Sequence, residues 1–131
     1  MSNTVTPFLM FEGRAEEAMN FYISLFADGR IDDVKRYGAN GPAKAGAIMS
    51  ARFTIGGQTF IVSDSTIKHE FTFTPSISIF VECADEAELA DRAVTLADGG
   101  QIYMPMDNYG FSRKFAWVGD RFGVSWQLNL Q

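Results

Sequence analysis

The sequence is poor in the residues that most often announce chemistry. It holds one cysteine, Cys83, and one histidine, His69, in 131 residues. A single cysteine excludes an intrachain disulfide and a cysteine-based zinc site. Near a strand end, Cys83 reads as a small buried hydrophobe rather than a nucleophile. Basic residues are scarce as well: Lys and Arg number 11 against 16 Asp and Glu, a formal net charge of -5. Nucleic-acid backbones and anionic membrane surfaces both require a basic face, so neither is expected as a partner. No like-charge tail is present, and no apolar run approaches the ~20 residues of a membrane span. The opening Met1-Ser2-Asn3-Thr4 lacks the charged and apolar regions of a secretory signal, so the expected location is the cytoplasm.

What is present is the composition of a packed protein. Hydrophobic residues make up 47% and aromatics 14%, with twelve Phe, and the length suits one domain with a sizeable core. The clearest organising feature is a loose internal repeat. Thr6-Pro7-Phe8-Leu9-Met10-Phe11-Glu12 leads to Ala15-Glu16-Glu17-Ala18. Thr74-Pro75-Ser76-Ile77-Ser78-Ile79-Phe80-Val81-Glu82 leads to Ala84-Asp85-Glu86-Ala87. Each is an apolar strand running through an acidic turn into a helix. Both halves also close with a strand, a tight turn and another strand, over 55–62 and 118–128.

Periodicity fills in the rest. Ala15, Ala18, Met19, Tyr22 and Phe26 form one apolar helical stripe, with Glu16 and Glu17 at the favourable end of the dipole and Gly29 beyond its end. Asp85 and Glu88 form a capping-box pair for a second helix, whose stripe is Leu89, Ala93 and Leu96 and which Gly99-Gly100 stops. Alternation predicts strands over 33–37, 47–55 and 58–63, and again over 101–104, 113–118 and 124–130. Gly56-Gly57 reads as a hairpin turn. The expectation is an α+β domain spanning 1–131, made of two βαβββ modules, 4–64 and 74–131, joined by a linker at 65–73. One such module covers only one face of its sheet with a helix. Pairing two would curl eight strands into a mixed sheet around a cavity.

Pro7, Leu9, Phe11, Gly13, Ala15-Glu16-Glu17-Ala18 and Phe21-Tyr22 resemble the opening of PhnB-like proteins. Phe73-Thr74-Pro75-Ser76-Ile77-Ser78 and Asp120-Arg121-Phe122-Gly123-Val124-Ser125-Trp126-Gln127-Leu128 are similar to two further signatures of the group. These proteins belong to the vicinal oxygen chelate (glyoxalase/bleomycin resistance/dioxygenase) superfamily and often carry the description 3-demethylubiquinone-9 3-methyltransferase. A methyltransferase of the usual kind needs a glycine-rich strand-to-helix turn for its adenosyl cofactor. No G-x-G-x-x-G occurs here. The resemblance implies a homodimer, and in enzymatic relatives His, Glu or Gln ligands on the first and last strand of each module. At the matching positions this sequence has Pro7, Phe8 and Leu9, then Asp64, then Ser76 or Ser78, then Gln127. Asp64 and Gln127 are the weak metal candidates, so no cofactor is expected, with a divalent metal as the alternative.

The residues expected to line the cavity are Asp64, Ser78, Tyr109, Phe115, Trp117, Ser125 and Gln127. Alternation puts Ser125, Gln127 and Asn129 on one face of the last strand and Val124, Trp126 and Leu128 on the other. The same rule puts Phe115 and Trp117 together, as core or as an aromatic wall for a planar ligand. The stretch 104–111, with Met104, Met106, Tyr109 and Phe111, suits a lid or a dimer contact. His69, beside Glu70, is read as a solvated loop residue, and Asp64 equally as a strand-end turn residue or a rim carboxylate. Three functions remain open: a metal-free small-molecule binding protein, a metal-dependent lyase, isomerase or dioxygenase with an atypical ligand set, and a module for dimerisation.

Overall fold

Both halves of the chain are built by one switch, from period-2 alternation to a 3.6-residue stripe and back. The computed structural model describes residues 3–131, which divide into two compact units, one running up to His69 and one of Glu70–Gln131. The first contains β1 (Phe8–Phe11), α1 (Ala15–Ser24), β2 (Arg30–Arg36), β3 (Ile48–Ile55) and β4 (Gln58–Asp64). The second repeats the order with β5 (Ser78–Glu82), α2 (Glu86–Ala97), β6 (Gln101–Asp107), β7 (Lys114–Gly119) and β8 (Ser125–Leu130). The eight strands form two four-stranded mixed sheets, ordered β1-β4-β3-β2 and β5-β8-β7-β6. In each, the first strand runs parallel to the last and the other pairs are antiparallel.

In the first unit, Ala15, Ala18, Met19 and Tyr22 of α1 are fully buried. Tyr22 tilts against Phe53, which stacks on Phe60 with ring centroids 5.3 Å apart. Large side chains buried in this way contribute about 1.5–3 kcal/mol each. In the second unit, Leu89 and Leu96 of α2 are buried with Ala116, Val118, Trp126 and Leu128 of β7 and β8. Each helix therefore covers one face of its own sheet.

Several boundaries differ from those the sequence predicts. The helix α1 stops at Ser24, so Phe26 lies past its end and is half-buried. Strand β2 starts at Arg30, and β6 runs to Asp107 through Pro105. Proline is tolerated there because β6 is an edge strand. Asp85 caps α2 by accepting from the Glu88 N–H at 2.8 Å, but Glu88 accepts from the Ala84 N–H, one residue ahead of the cap. No helix among the described residues is long and apolar enough to cross a membrane.

Aspartates fasten the turns. Gly56 and Gly57 turn the β3–β4 hairpin at φ +54 and +79, a left-handed conformation that glycine adopts without strain. The two oxygens of Asp28 accept from their N–H groups, each at 2.8 Å. In the second unit, Asp120 is buried and accepts from Phe122 N–H, Val124 N–H and the Trp126 indole N–H. The closing run that resembles PhnB-like proteins is thus a turn organised by its own first residue.

The Gly56 and Gly57 N–H groups hold the Asp28 carboxyl below the ordinary Asp range, and Arg30 adds to the effect. Stability from a lowered carboxyl is present above its unfolded pKa and fades as pH falls through the folded one. The Asp28→Asn variant should therefore lose less stability than wild type as pH drops below about 5, with parallel curves above that value. Urea denaturation midpoints across pH check this.

Candidate functional site

A sheet with a helix on one face leaves the other face to be accounted for. In the second unit, the face away from α2 carries three rows of side chains, fixed by strand register. The first row crosses Ser78, Ser125 and Gly119; the second Phe80, Gln127 and Trp117; the third Glu82, Asn129 and Phe115. Six of the seven residues predicted to line the cavity lie on or beside this face: Ser78, Ser125, Gln127, Trp117, Phe115 and, from the loop after β6, Tyr109. The seventh, Asp64, lies in the first unit.

The polar side chains of the face form a chain of hydrogen bonds. The Trp117 indole N–H donates to Ser125 Oγ at 2.8 Å. Ser125 Oγ and Ser78 Oγ are 2.7 Å apart, and Gln127 Nε2 donates to Ser78 Oγ at 3.2 Å. In the third row, Asn129 Nδ2 donates to Glu82 Oε2 at 3.0 Å. Ser125 and Asn129 are buried, whereas Ser78, Trp117 and Gln127 are half-buried and Glu82 is exposed.

Aromatic rings frame this network. Tyr103 meets Trp117 with centroids 5.2 Å apart and lies across Gly119. A Cβ at Gly119 would come within 2.9 Å of the Tyr103 hydroxyl, so glycine is what lets the ring rest on the sheet. The pairing of β6 with β7 shifts between Ile102 and Met104, and the extra residue of that bulge is Tyr103. Bulges re-aim side chains in this way. Phe111 meets Phe115 edge-on at 5.0 Å, and Tyr109 meets both rings. Tyr109 donates its hydroxyl to the Pro105 carbonyl, and Gly110 N–H donates to Asn108 Oδ1. The predicted stretch 104–111 is therefore part strand and part an ordered turn. Phe80 is 54% exposed and Phe111 60%.

Phe80, Tyr103 and Glu82 complete the face and were not among the predicted lining residues. For Phe80 and Glu82 the signal was present: they alternate with Ser78 on one strand. For Tyr103 it was not, because a bulge breaks the alternation that would assign it a side.

Asp64 is placed differently. It is buried at the end of β4, where Oδ1 accepts from Gly13 N–H and Ala15 N–H at 2.8 and 3.0 Å and Oδ2 from Ile48 N–H at 3.0 Å. It ties the start of α1 and the start of β3 to the end of β4. The uncovered face of its sheet carries Phe8, Met10, Ile61 and Ser63 instead, with Phe8 57% exposed. His69 Nε2 is 2.8 Å from Ser65 Oγ, and its backbone N–H donates to Glu12, so both ends of this loop residue are engaged. Cys83 is buried, and burial pushes its thiol up from the ordinary range.

The face of the second unit offers one carboxylate, Glu82, two amides, Gln127 and Asn129, and the hydroxyls of Ser78, Ser125 and Tyr103, with no imidazole. Among the described residues no three His, Cys, Asp or Glu side chains gather in a way that could hold a metal ion. Such a donor set does not fit a divalent transition metal, which takes imidazole, thiolate or several carboxylates.

Asp64→Asn replaces one acceptor by an N–H2 group that cannot accept, leaving at least one of three backbone N–H groups unpaired. Urea unfolding should show a loss of about 1–3 kcal/mol, where a freely solvated strand-end residue would change stability by less than about 0.5 kcal/mol.

Comparison with known proteins places this geometry. Residues 3–129 match the family model described as 3-demethylubiquinone-9 3-methyltransferase. A Bacillus cereus PhnB protein, provisionally described as a 3-demethylubiquinone-9 3-methyltransferase, is 50% identical, with 98% of this chain and 100% of that one covered and a TM-score of 0.95. Protein PA1353 from Pseudomonas aeruginosa is 28% identical over 99% and 98% of the two chains, with a TM-score of 0.85. A glyoxylase/bleomycin resistance protein/dioxygenase domain from Frankia sp. EAN1pec shares the fold at 14% identity, covering 99% of this chain and 92% of that one, with a TM-score of 0.67. Curated proteins yield no match. The chain belongs to the family described as 3-demethylubiquinone-9 3-methyltransferase and is PhnB-like, with the fold of the glyoxylase/bleomycin resistance protein/dioxygenase domain.

Proposed function

We propose that this protein binds a small planar molecule on the uncovered face of its second sheet, without a catalytic metal. The observation that carries the reading is the row Phe80–Gln127–Trp117, in which an amide lies between two aromatic side chains on one face. Aromatic rings supply apolar contact and stacking for a flat ligand, and a few fixed polar groups orient it. The hydrogen-bonded chain from Trp117 to Gln127 holds those groups in place before the ligand arrives, which lowers the ordering cost of binding.

Methyl transfer, which the family description names, finds less support in these residues. The strand-to-helix passages are Phe11-Glu12-Gly13-Arg14 and Glu82-Cys83-Ala84-Asp85, neither of them the glycine-rich turn that cradles an adenosyl cofactor. A metal-dependent reaction would need donors beyond the single carboxylate, hydroxyls and amides gathered on this face. The cytoplasm remains the proposed location and a homodimer the proposed assembly, since the exposed edges of β2 and β6 invite pairing.

Isothermal titration with quinoline tests the reading. Saturable one-to-one binding is expected, weakened at least about tenfold in Trp117→Ala, equivalent to about 1.4 kcal/mol, and unchanged in Arg14→Ala on the exposed start of α1. Equal affinity in wild type and Trp117→Ala would contradict it.

A further inference from the structure

The hydrogen-bond polarity of the second sheet's uncovered face specifies more than a flat ligand. An indole N–H can only donate, so Ser125 Oγ is the acceptor from Trp117. Ser125 is 2% exposed, and a buried hydroxyl proton must find an acceptor. The acceptor within reach is Ser78 Oγ at 2.7 Å. Ser125 therefore donates to Ser78, and Gln127 Nε2 donates to the same oxygen at 3.2 Å. Both acceptor positions of Ser78 are then filled, and its own proton is left to point off the sheet. Gln127 has spent one N–H on Ser78, and its Oε1 receives no donor among the described residues.

The face thus presents a hydroxyl donor, Ser78, directly beside an amide acceptor, Gln127 Oε1, with Phe80 and Trp117 on either side in the register. We infer that the ligand class is a planar ring bearing a lactam or similar cis-amide edge. Its carbonyl accepts from Ser78 Oγ–H, its N–H donates to Gln127 Oε1, and its ring plane lies against the aromatic side chains. An anionic ligand is disfavoured, since Oε1 repels it and Glu82 stands in the neighbouring row. This inference rests on the proposed binding of a flat molecule at the same face, and the two can fail separately.

The probes are 2-quinolone, N-methyl-2-quinolone and quinoline, titrated calorimetrically into the full chain. They share one bicycle and differ in the lactam edge: the first has both groups, the second lacks the N–H, the third lacks both. The structure predicts that 2-quinolone binds at least about tenfold tighter than the other two. It also predicts that Ser78→Ala and Gln127→Leu each abolish that preference, so that each variant binds 2-quinolone no more tightly than it binds quinoline. Circular dichroism and urea midpoints of the variants establish that they are folded, and Gln127→Glu gives a near-isosteric change that retains an acceptor and should keep the preference for the N–H probe over its N-methyl form. Equal, Trp117-dependent binding of all three probes would overturn the lactam assignment and leave the flat-ligand reading standing. Absence of Trp117-dependent binding by any of them would overturn both.

Discussion

One helix can cover only one face of a four-stranded sheet, and most of what is distinctive in this chain follows from that. In each unit the helix stripe takes up the apolar side chains of one face, through Met19 and Tyr22 in the first and Leu89 and Leu96 in the second. The alternation that sends Trp126 and Leu128 beneath α2 sends Ser125, Gln127 and Asn129 the other way. The same geometry that completes the core therefore assembles a second, chemically different surface at no cost in core packing.

The two kinds of buried polar group in the structure do different work. Asp64 and Asp120 accept from backbone N–H groups, and Asp120 from the Trp126 indole as well. They satisfy donors that turns and strand ends would otherwise leave unpaired, at a penalty of about 1–3 kcal/mol each. The chain from Trp117 through Ser125 and Ser78 to Gln127 ties side chains to one another instead, and its outer members remain partly exposed. The first kind holds the fold, and the second leaves donor and acceptor capacity to spare at the surface.

Much of this was legible in the sequence. The repeated strand-to-helix passages gave the βαβββ order, and period-2 alternation was enough to place Ser125, Gln127, Phe115 and Trp117 on common faces. Tyr103 was out of reach because it is the extra residue of a bulge, which only strand register reveals. The length of β6 was hidden by Pro105, a residue that argues against a strand until the strand is known to be an edge. Asp64 was ambiguous for a different reason. A carboxyl at a strand end has the same local sequence whether it faces a ligand or three backbone N–H groups, and what separates the two is the return of Gly13, Ala15 and Ile48 to the same place.

The two tryptophans provide an internal control for the central claim, because Trp117 lies on the uncovered face and Trp126 beneath α2. In a 1H–15N correlation spectrum recorded during titration with 2-quinolone, the Trp117 indole and Gln127 side-chain amide signals should move progressively and saturate together. The Trp126 indole, held by Asp120, should stay fixed. Equal movement of both indoles, or movement of neither, would contradict a ligand seated on this face.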